Sequence, residues 1–403
     1  MTSTDVYYDP YDYAIDADPY PAWKRLRDEA PVYWNEKYGF YALSRYADVL
    51  EGFLDVETFQ SSHGILLEII TDEPYDTSMM IMTDPPKHTS LRKLVSRAFT
   101  NRRIADSEPM IRQVANDLLD VVDGDDEFDV VAQFSAILPP TIILRLLGYP
   151  DGYAQVFRQA ADASLHVEDG EQLSVERGPL VSAEGVIGNE AFAILPELLE
   201  ERRRDPQDDL LTALAHAEIE EDGATRTLNL EEILNFAQLI GSAGTETVAR
   251  LLGFAAVELH RWPDQRALLV EQPELIPNAI EELLRFEAPS PVQTRWVSRD
   301  VEFHGVTIPR GSKLILLNGA GDRDERHFPD PDRLDVRRDI DRHLAFGYGA
   351  HFCIGAALAR LEGRIGLEEL LKRHPTWDID ESRLEMVHTS TVRGYSAVPM
   401  RVR

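Results

Sequence analysis

The sequence predicts a mainly α-helical protein with a minor β region, and three observations carry that prediction. Apolar residues recur at threes and fours over most of the chain, as in Ile111, Val114, Leu118, Val121 and Val122. Two stretches instead alternate in short apolar runs around turn residues. One spans 31–43 about Asn35-Glu36-Lys37-Tyr38-Gly39, and the other spans 301–317 with turns at His304-Gly305 and Pro309-Arg310-Gly311. The third is a proline-free helical stretch from Leu230 to about Arg261, roughly 45 Å long at 1.5 Å per residue, enough to cross the molecule.

The β-rich part is expected at about 31–60, 295–320 and 385–403 and the helical part at about 84–285 and 354–374, with residues 1–403 forming one domain. Pro85-Pro86 suits the start of a helix that puts His88 and Arg92 one turn apart. The run from Ala136 to Leu147 closes at Gly148 and Pro150; broken by Pro139, Pro140 and Arg145, it falls short of the roughly 20 residues that span a bilayer. Segment 200–227, dense in Arg, Asp and Glu, reads as a solvated helix-and-loop connection. Asn229 and Glu232 have the spacing of a capping box before the long helix. The stripe Phe236, Ile240, Ala243/Gly244 and Thr247 combines apolar bulk with small residues that let a flat or bulky group approach the backbone. On spacing alone, buried helix packing is the simpler account of it.

With 43% hydrophobic and 28% charged residues in 403, the chain sits in the globular range. Its 71 acidic against 41 basic residues leave a formal charge of −30, which opposes attraction to nucleic-acid phosphates and anionic lipid. Neither a nucleic-acid partner nor a membrane anchor is expected. The single cysteine, Cys353, cannot form an intramolecular disulfide. The polar, acidic, proline-broken N-terminus lacks the basic start and apolar run of a signal peptide, so a cytoplasmic location is expected.

The chemistry concentrates in Phe346-Gly347-Tyr348-Gly349-Ala350-His351-Phe352-Cys353-Ile354-Gly355, where three glycines surround the cysteine just before a helical pattern. Glycines let the backbone fold tightly around the sulfur with amides facing it, and a helix start adds positive dipole; both favour thiolate over thiol. A lone cysteine is ordinarily a small buried hydrophobe. Here the context decides otherwise. One thiolate is too few for structural zinc or an iron–sulfur cluster, whereas an axial ligand to haem iron needs only one.

At this point the sequence resembles the cytochrome P450 family. Residues 346–355 match that family's haem-binding signature F-G-x-G-x-H-x-C-x-G at every fixed position, a match that arises by chance on the order of once in a million such chains. Glu282-Leu283-Leu284-Arg285 resembles its E-x-x-R element, and Phe328-Pro329-Asp330-Pro331-Asp332-Arg333 resembles the following meander, whose arginine completes a buried charge network. Ala243-Gly244-Thr245-Glu246-Thr247 resembles its acid–alcohol motif. The family often has Asn where this chain has Asp322, and Phe where it has Leu334; Glu246 stands where Asp is commoner.

The resemblance implies the cytochrome P450 fold, with the long central helix over haem b (iron protoporphyrin IX) and the cysteine loop beneath it. It implies Cys353 as the iron ligand, with Phe346, Gly347 and Gly355 shaping the loop, and His88, Arg92, Arg295 and His351 as partners for the haem propionates. Glu246 and Thr247 would deliver protons, and Glu282, Arg285 and Arg333 would form the structural network. A mid-helix threonine otherwise just bonds back to the preceding turn. The substrate pocket would draw on Ile65, Leu66, Met79, Met82, Phe236, Ile240, Ala243, Gly244, Val292 and Val392, from the loop 60–82, the central helix, 289–293 and 391–395.

The implied activity is monooxygenation of an apolar small molecule of steroid, terpenoid, fatty acid or polyketide type, using O2. No G-x-G-x-x-G and no cysteine quartet is present, so electrons are expected from an external ferredoxin, fed by a ferredoxin reductase with NAD(P)H. Arg92, Lys93, Arg97, Arg102, Arg103, Arg360 and Arg364 are expected to form a basic island for that acidic partner, and the protein is expected to be a monomer. A peroxide-driven peroxygenase and a non-catalytic haem- or ligand-binding protein are the alternatives. A zinc site from His343, His351 and Cys353 ignores the glycines, and Gly241-Ser242-Ala243-Gly244 lacks the G-x-S-x-G spacing of a serine hydrolase.

Overall fold

The computed structural model describes residues 6–150, 152–154, 156, 192–221 and 224–402. Six helices frame the site: α1 (Lys87–Ala98), α2 (Glu108–Val121), α3 (Leu138–Leu147), α4 (Leu230–Arg261), α5 (Ile276–Phe286) and α6 (Ala356–Arg373). The fold is mainly α with a minor β region, as the spacing predicts.

Helix α4 begins where the capping residues put it. The Asn229 side chain accepts from the Glu232 amide and the Glu232 carboxylate accepts from the Asn229 amide, each at 2.9 Å, so two otherwise orphaned donors are satisfied. Arg226 then clamps Glu232 through two bonds of 2.8 Å. Helices α3, α5 and α6 pack on α4 around the largest apolar core. The α4–α6 crossing is close because α6 carries Gly363 and Gly366, where a Cβ would stand 3.0 Å from Leu251 and Leu252 respectively. Among the described residues, no helix is long and apolar enough to cross a membrane.

The main sheet has strand order β1-β2-β10-β7-β3. The expected first hairpin is β1 (Val32–Asn35) with β2 (Phe40–Leu43), antiparallel with Val32 opposite Leu43. β3 is Phe59–Gln60 and β7 is Gln293–Val297. β8 (Val301–Phe303) and β9 (Val306–Ile308) form the second hairpin, and β10 (Lys313–Leu316) runs parallel to β2 and antiparallel to β7. This sheet matters to the site because β7 carries Arg295.

Two β elements lie inside the stretch expected to be helical. β4 (Glu127–Asp129) pairs with the C-terminal strand β14 (Pro399–Val402), which also pairs with β11 (Trp377–Ile379). β5 (Glu218–Glu221) and β6 (Ala224–Thr227) form a hairpin where a solvated helix and loop were expected. A three-residue strand shows no periodicity, and glutamates are poor strand formers, so neither had a sequence signal. The last hairpin is β12 (Glu385–Met386) with β13 (Tyr395–Ala397).

Replacing Asn229 by Ala should cost about 1 kcal/mol of stability, measured by denaturant unfolding, because the cap bond is lost while Arg226 still holds Glu232.

Candidate active site

Between β10 and α6 the chain folds back on itself around Cys353. Gly347 and Gly349 adopt φ of 64° and 70°, and at Gly349 a Cβ would also stand 2.8 Å from the Phe53 carbonyl oxygen. The Cys353 amide donates to the Phe346 carbonyl at 2.9 Å, and Gly355 caps α6. A Cβ on Gly355 would rest 3.9 Å from the Cys353 sulfur, and the Phe346 ring lies under the Arg360 guanidinium at 4.6 Å. The amides of Gly355 and Ala356 face the sulfur, as expected of a loop at a helix start. Burial pushes the thiol up by more than those amides, Arg92 and Arg360 pull it down.

His88 and Arg92 on α1, Arg295 on β7 and His351 in the loop converge beside Cys353. The two imidazoles lie 4.1 Å apart. Both nitrogens of His88 and Nε2 of His351 are buried with no hydrogen-bond partner. Arg295, also buried, donates to the Thr294 carbonyl at 2.7 Å, and Arg92 donates to the Phe352 carbonyl at 2.6 Å. Asp84 stands 4.0 Å from His351 but already accepts the Ser61 and Ser62 amides at 2.9 and 3.0 Å. Burial and then Arg92 push His88 down to about 4; burial, Arg295, His88 and Arg92 push His351 down to about 2. Burial holds Arg295 down to about 10, and Asp84 only partly offsets it. The cluster has donors to spare and too little negative charge, which fits a buried group bearing two carboxylates.

The loop is anchored from α5. The buried Arg285 donates to both oxygens of the buried Glu282, at 2.7 and 2.9 Å, and to the Asp322 and Pro331 carbonyls at 2.8 and 3.0 Å. The expected third member, Arg333, is exposed on the turn after Asp330 and does not reach Glu282. Arg338 takes that place, with Nε 3.1 Å from each Glu282 oxygen and further bonds to the Pro329, Asp330 and Arg333 carbonyls. Asp322 accepts the Leu344 amide at 2.7 Å at the start of the loop, while its other oxygen is buried without a partner. Burial raises Asp322 to about 7 against the pull of His343, the Leu344 amide, Arg285 and Arg323.

Helix α4 runs unbroken through the acid–alcohol segment. A Cβ on Gly244 would meet Ile143 of α3 at 3.7 Å, so this glycine faces a neighbouring helix and not a ligand. Thr247 donates to the Ala243 carbonyl at 3.0 Å, the back-bond of a mid-helix threonine. Glu246 is buried and ion-paired with Arg250, one turn on. Phe236 and Ile240 are buried in the main core. The open side of the helix is Ser242 and Ala243, with Leu239 partly exposed one turn before.

The other expected pocket residues fall into two groups. Met79 and Met82 are buried with Ile65 and Leu66 packed beside them and against Leu239 of α4. Val292 and Val392 instead line a narrow crevice with Tyr8, Ile15 and Trp23 of the N-terminal segment. The expected basic island is largely neutralised. Arg360 is paired with Glu281, Arg364 with Glu108 and Glu368, Arg103 with Asp208, and Arg102 with Asp106. The side chain of Arg97 lies outside the described residues.

Comparison with known proteins decides the family. The family model described as cytochrome P450 matches residues 185–391. Cytochrome P450 123 of Mycobacterium tuberculosis is 39% identical over 398 residues, covering 98% of this chain and 96% of its own. The vitamin D(3) 25-hydroxylase of Pseudonocardia autotrophica is 38% identical over 393 residues, covering 95% and 93%. The structure of cytochrome P450 CYP109Q5 from Chondromyces apiculatus superposes with a TM-score of 0.85 at 33% identity, covering 98% of both chains. The chain belongs to the cytochrome P450 family. It is accordingly a cytochrome P450 monooxygenase, of a family that uses haem, O2 and redox partners. Beside Cys353, the buried donors of His88, Arg92, Arg295 and His351 fit the chemistry of haem, which carries two carboxylates.

Sequence reasoning missed Arg338, Leu239, Ser242 and Arg250. Only Arg250 had a signal, its position four residues after Glu246.

Arg338→Met should cost about 3 kcal/mol and loosen haem retention on gel filtration, because it strips one cation from a buried carboxylate. Arg333→Met should stay within about 0.5 kcal/mol of the parent. For Asp322, the folded value of about 7 lies above the ordinary 3.8. Between those values the unfolded chain loses a proton that the folded chain keeps, so this group's contribution to stability falls as pH rises and is flat above. Asp322→Asn should therefore gain roughly 2–4 kcal/mol on the parent between pH 4 and 7, read from melts across that range. Parallel pH profiles would refute it.

Proposed function

We propose that residues 1–403 form one haem-thiolate domain that hydroxylates a bulky lipophilic small molecule of steroid, terpenoid, fatty acid or polyketide type. Electrons would come from an external ferredoxin and its NAD(P)H-dependent reductase. The observation that carries the reading is the convergence of His88, Arg92, Arg295 and His351, rich in unused donors, beside the single cysteine at the head of α6. Haem b, when bound, supplies the oxidising chemistry, and the protein supplies binding, orientation and protons.

Cys353 would hold the iron, and the four basic side chains the two propionates. Glu246 would carry protons inward from its ion pair, and Thr247 would pass them on by turning its hydroxyl from the Ala243 carbonyl. Leu239 and Ala243 on α4, with Met79 and Met82 facing Leu239, would present an apolar wall that orients substrate and excludes water. The vitamin D(3) 25-hydroxylase relative, with its large lipophilic substrate, supports this class.

The test is spectral titration of the purified haem protein with vitamin D(3), a terpenoid, a long-chain fatty acid and a macrolactone. At least one should shift the haem spectrum, and silence from all four would refute the substrate class. Cys353→Ser should abolish the thiolate-type spectrum of the reduced carbon-monoxide complex. Thr247→Ala should lower product formed per electron by on the order of 10²-fold. Peroxide-driven turnover that survives Thr247→Ala would select the peroxygenase reading instead.

A further inference from the structure

Arg250 touches two parts of the molecule that the family motifs treat separately. One guanidinium nitrogen is paired with Glu246, and another donates to the Tyr395 carbonyl at 2.7 Å. Its aliphatic stem lies across Gly394, where a Cβ would stand 2.6 Å from both Cβ and Cδ of the arginine. Only a residue without a side chain at 394 leaves the arginine room to reach both partners at once. The turn it grips is itself ordered. Thr389 exchanges bonds of 2.7 Å with the Val392 amide and carbonyl, Ser290 donates to the Thr391 carbonyl at 3.2 Å, and the Val387 amide donates to the Gly394 carbonyl at 2.9 Å.

We propose that Arg250 is a positioning residue that ties Glu246 to the 389–395 turn, so that the geometry of this turn sets when the acid is released to carry a proton. The inference rests on the reading of Glu246 as a proton carrier. No other element needs to move. A guanidinium that shifts toward the Tyr395 carbonyl weakens its hold on the carboxylate, and a shift toward the carboxylate loosens the turn. Compounds that press on the turn would thereby change the fraction of electrons that ends in product, and not only the affinity for substrate.

The experiment uses the full-length haem protein with vitamin D(3) as probe and four variants, Arg250→Met, Arg250→Lys, Gly394→Ala and Glu246→Gln. Product per reducing equivalent and the solvent deuterium isotope effect on turnover are measured, with hydrogen exchange of the 389–395 amides as a readout independent of activity. Arg250→Met and Glu246→Gln should each lower product per equivalent by roughly tenfold and raise the isotope effect. A fifth variant, combining Arg250→Met with Glu246→Gln, should be no worse than either alone, because the two residues act as a unit. Arg250→Lys should restore part of the loss, and Gly394→Ala should reproduce part of it by displacing the arginine stem. Exchange of the turn should quicken in Arg250→Met and Gly394→Ala. Full coupling in Arg250→Met while Glu246→Gln is uncoupled overturns this inference alone, as does an unchanged turn. Full coupling in Glu246→Gln overturns the proton-carrier reading and this inference with it. Should Arg250→Met fail to fold, Gly394→Ala and Arg250→Lys carry the same comparison.

Discussion

A cysteine loop that reverses direction within ten residues has few internal contacts to hold it, and it depends on a line of hydrogen bonds that starts in helix α5. Glu282 fixes Arg285, Arg285 fixes the backbone at Asp322, and the Asp322 side chain fixes the Leu344 amide where the loop begins. Leu344 in turn accepts the Gly347 amide at 2.8 Å, and Phe346 accepts the Cys353 amide. The links from Glu282 to the Leu344 amide are buried, so those bonds have little competition from water, and losing one leaves a charged or polar group without compensation. The E-x-x-R pair therefore acts on the sulfur at a distance, through backbone geometry. Arg338 closes the other side of Glu282 and pins the meander to it, which makes one carboxylate the common anchor of three chain segments.

Charge is distributed unevenly in this acidic chain. Around the loop, four basic side chains share little negative charge, whereas the arginines on the nearby helices are matched almost one for one by carboxylates. Ion pairs of that exposed kind contribute little to stability, but they cancel the field that an island of bare cations would project. A redox partner approaching this face would meet alternating signs. Recognition there would rest on the detailed register of charges and on packing, with weaker long-range attraction than seven unpaired cations would give.

How much of this was legible follows from where each signal resides. The cysteine loop was readable because it needs glycines at φ values other residues avoid and a cysteine and histidine at fixed offsets. The capping box was readable because its two bonds join residues three apart. Arg338 was not, because which arginine of the meander points inward depends on the turn at Asp330, and nothing local distinguishes it from Arg333. Strand β4 was unreadable because its partner lies more than 250 residues away, with Pro399 opposite Asp129. The sulfur's surroundings were legible only in part: amides near Cys353 are encoded locally, whereas the burial that opposes them comes from the whole fold.

The long helix shows the limit of periodicity most directly. Residues 236, 240, 243 and 247 form one stripe at helical spacing, and 239, 242, 243, 246 and 250 form another about a fifth of a turn round. Both contain apolar and small residues, so a 3.6-residue period fits either and cannot say which one faces the site. Packing distinguishes them: Phe236 and Ile240 are taken up by the main core, and Gly244 by Ile143, while Leu239, Ser242 and Ala243 of the second stripe stay open. Along that stripe the side chains change character in order, from Leu239 through Ser242 and Ala243 to the buried Glu246–Arg250 pair against the C-terminal turn. The partly exposed Leu239 and the buried Glu246 carboxylate thus share one face of one helix, two turns apart. Their relative position is set by helix geometry, and at the far end Arg250 meets the Tyr395 carbonyl of the C-terminal turn.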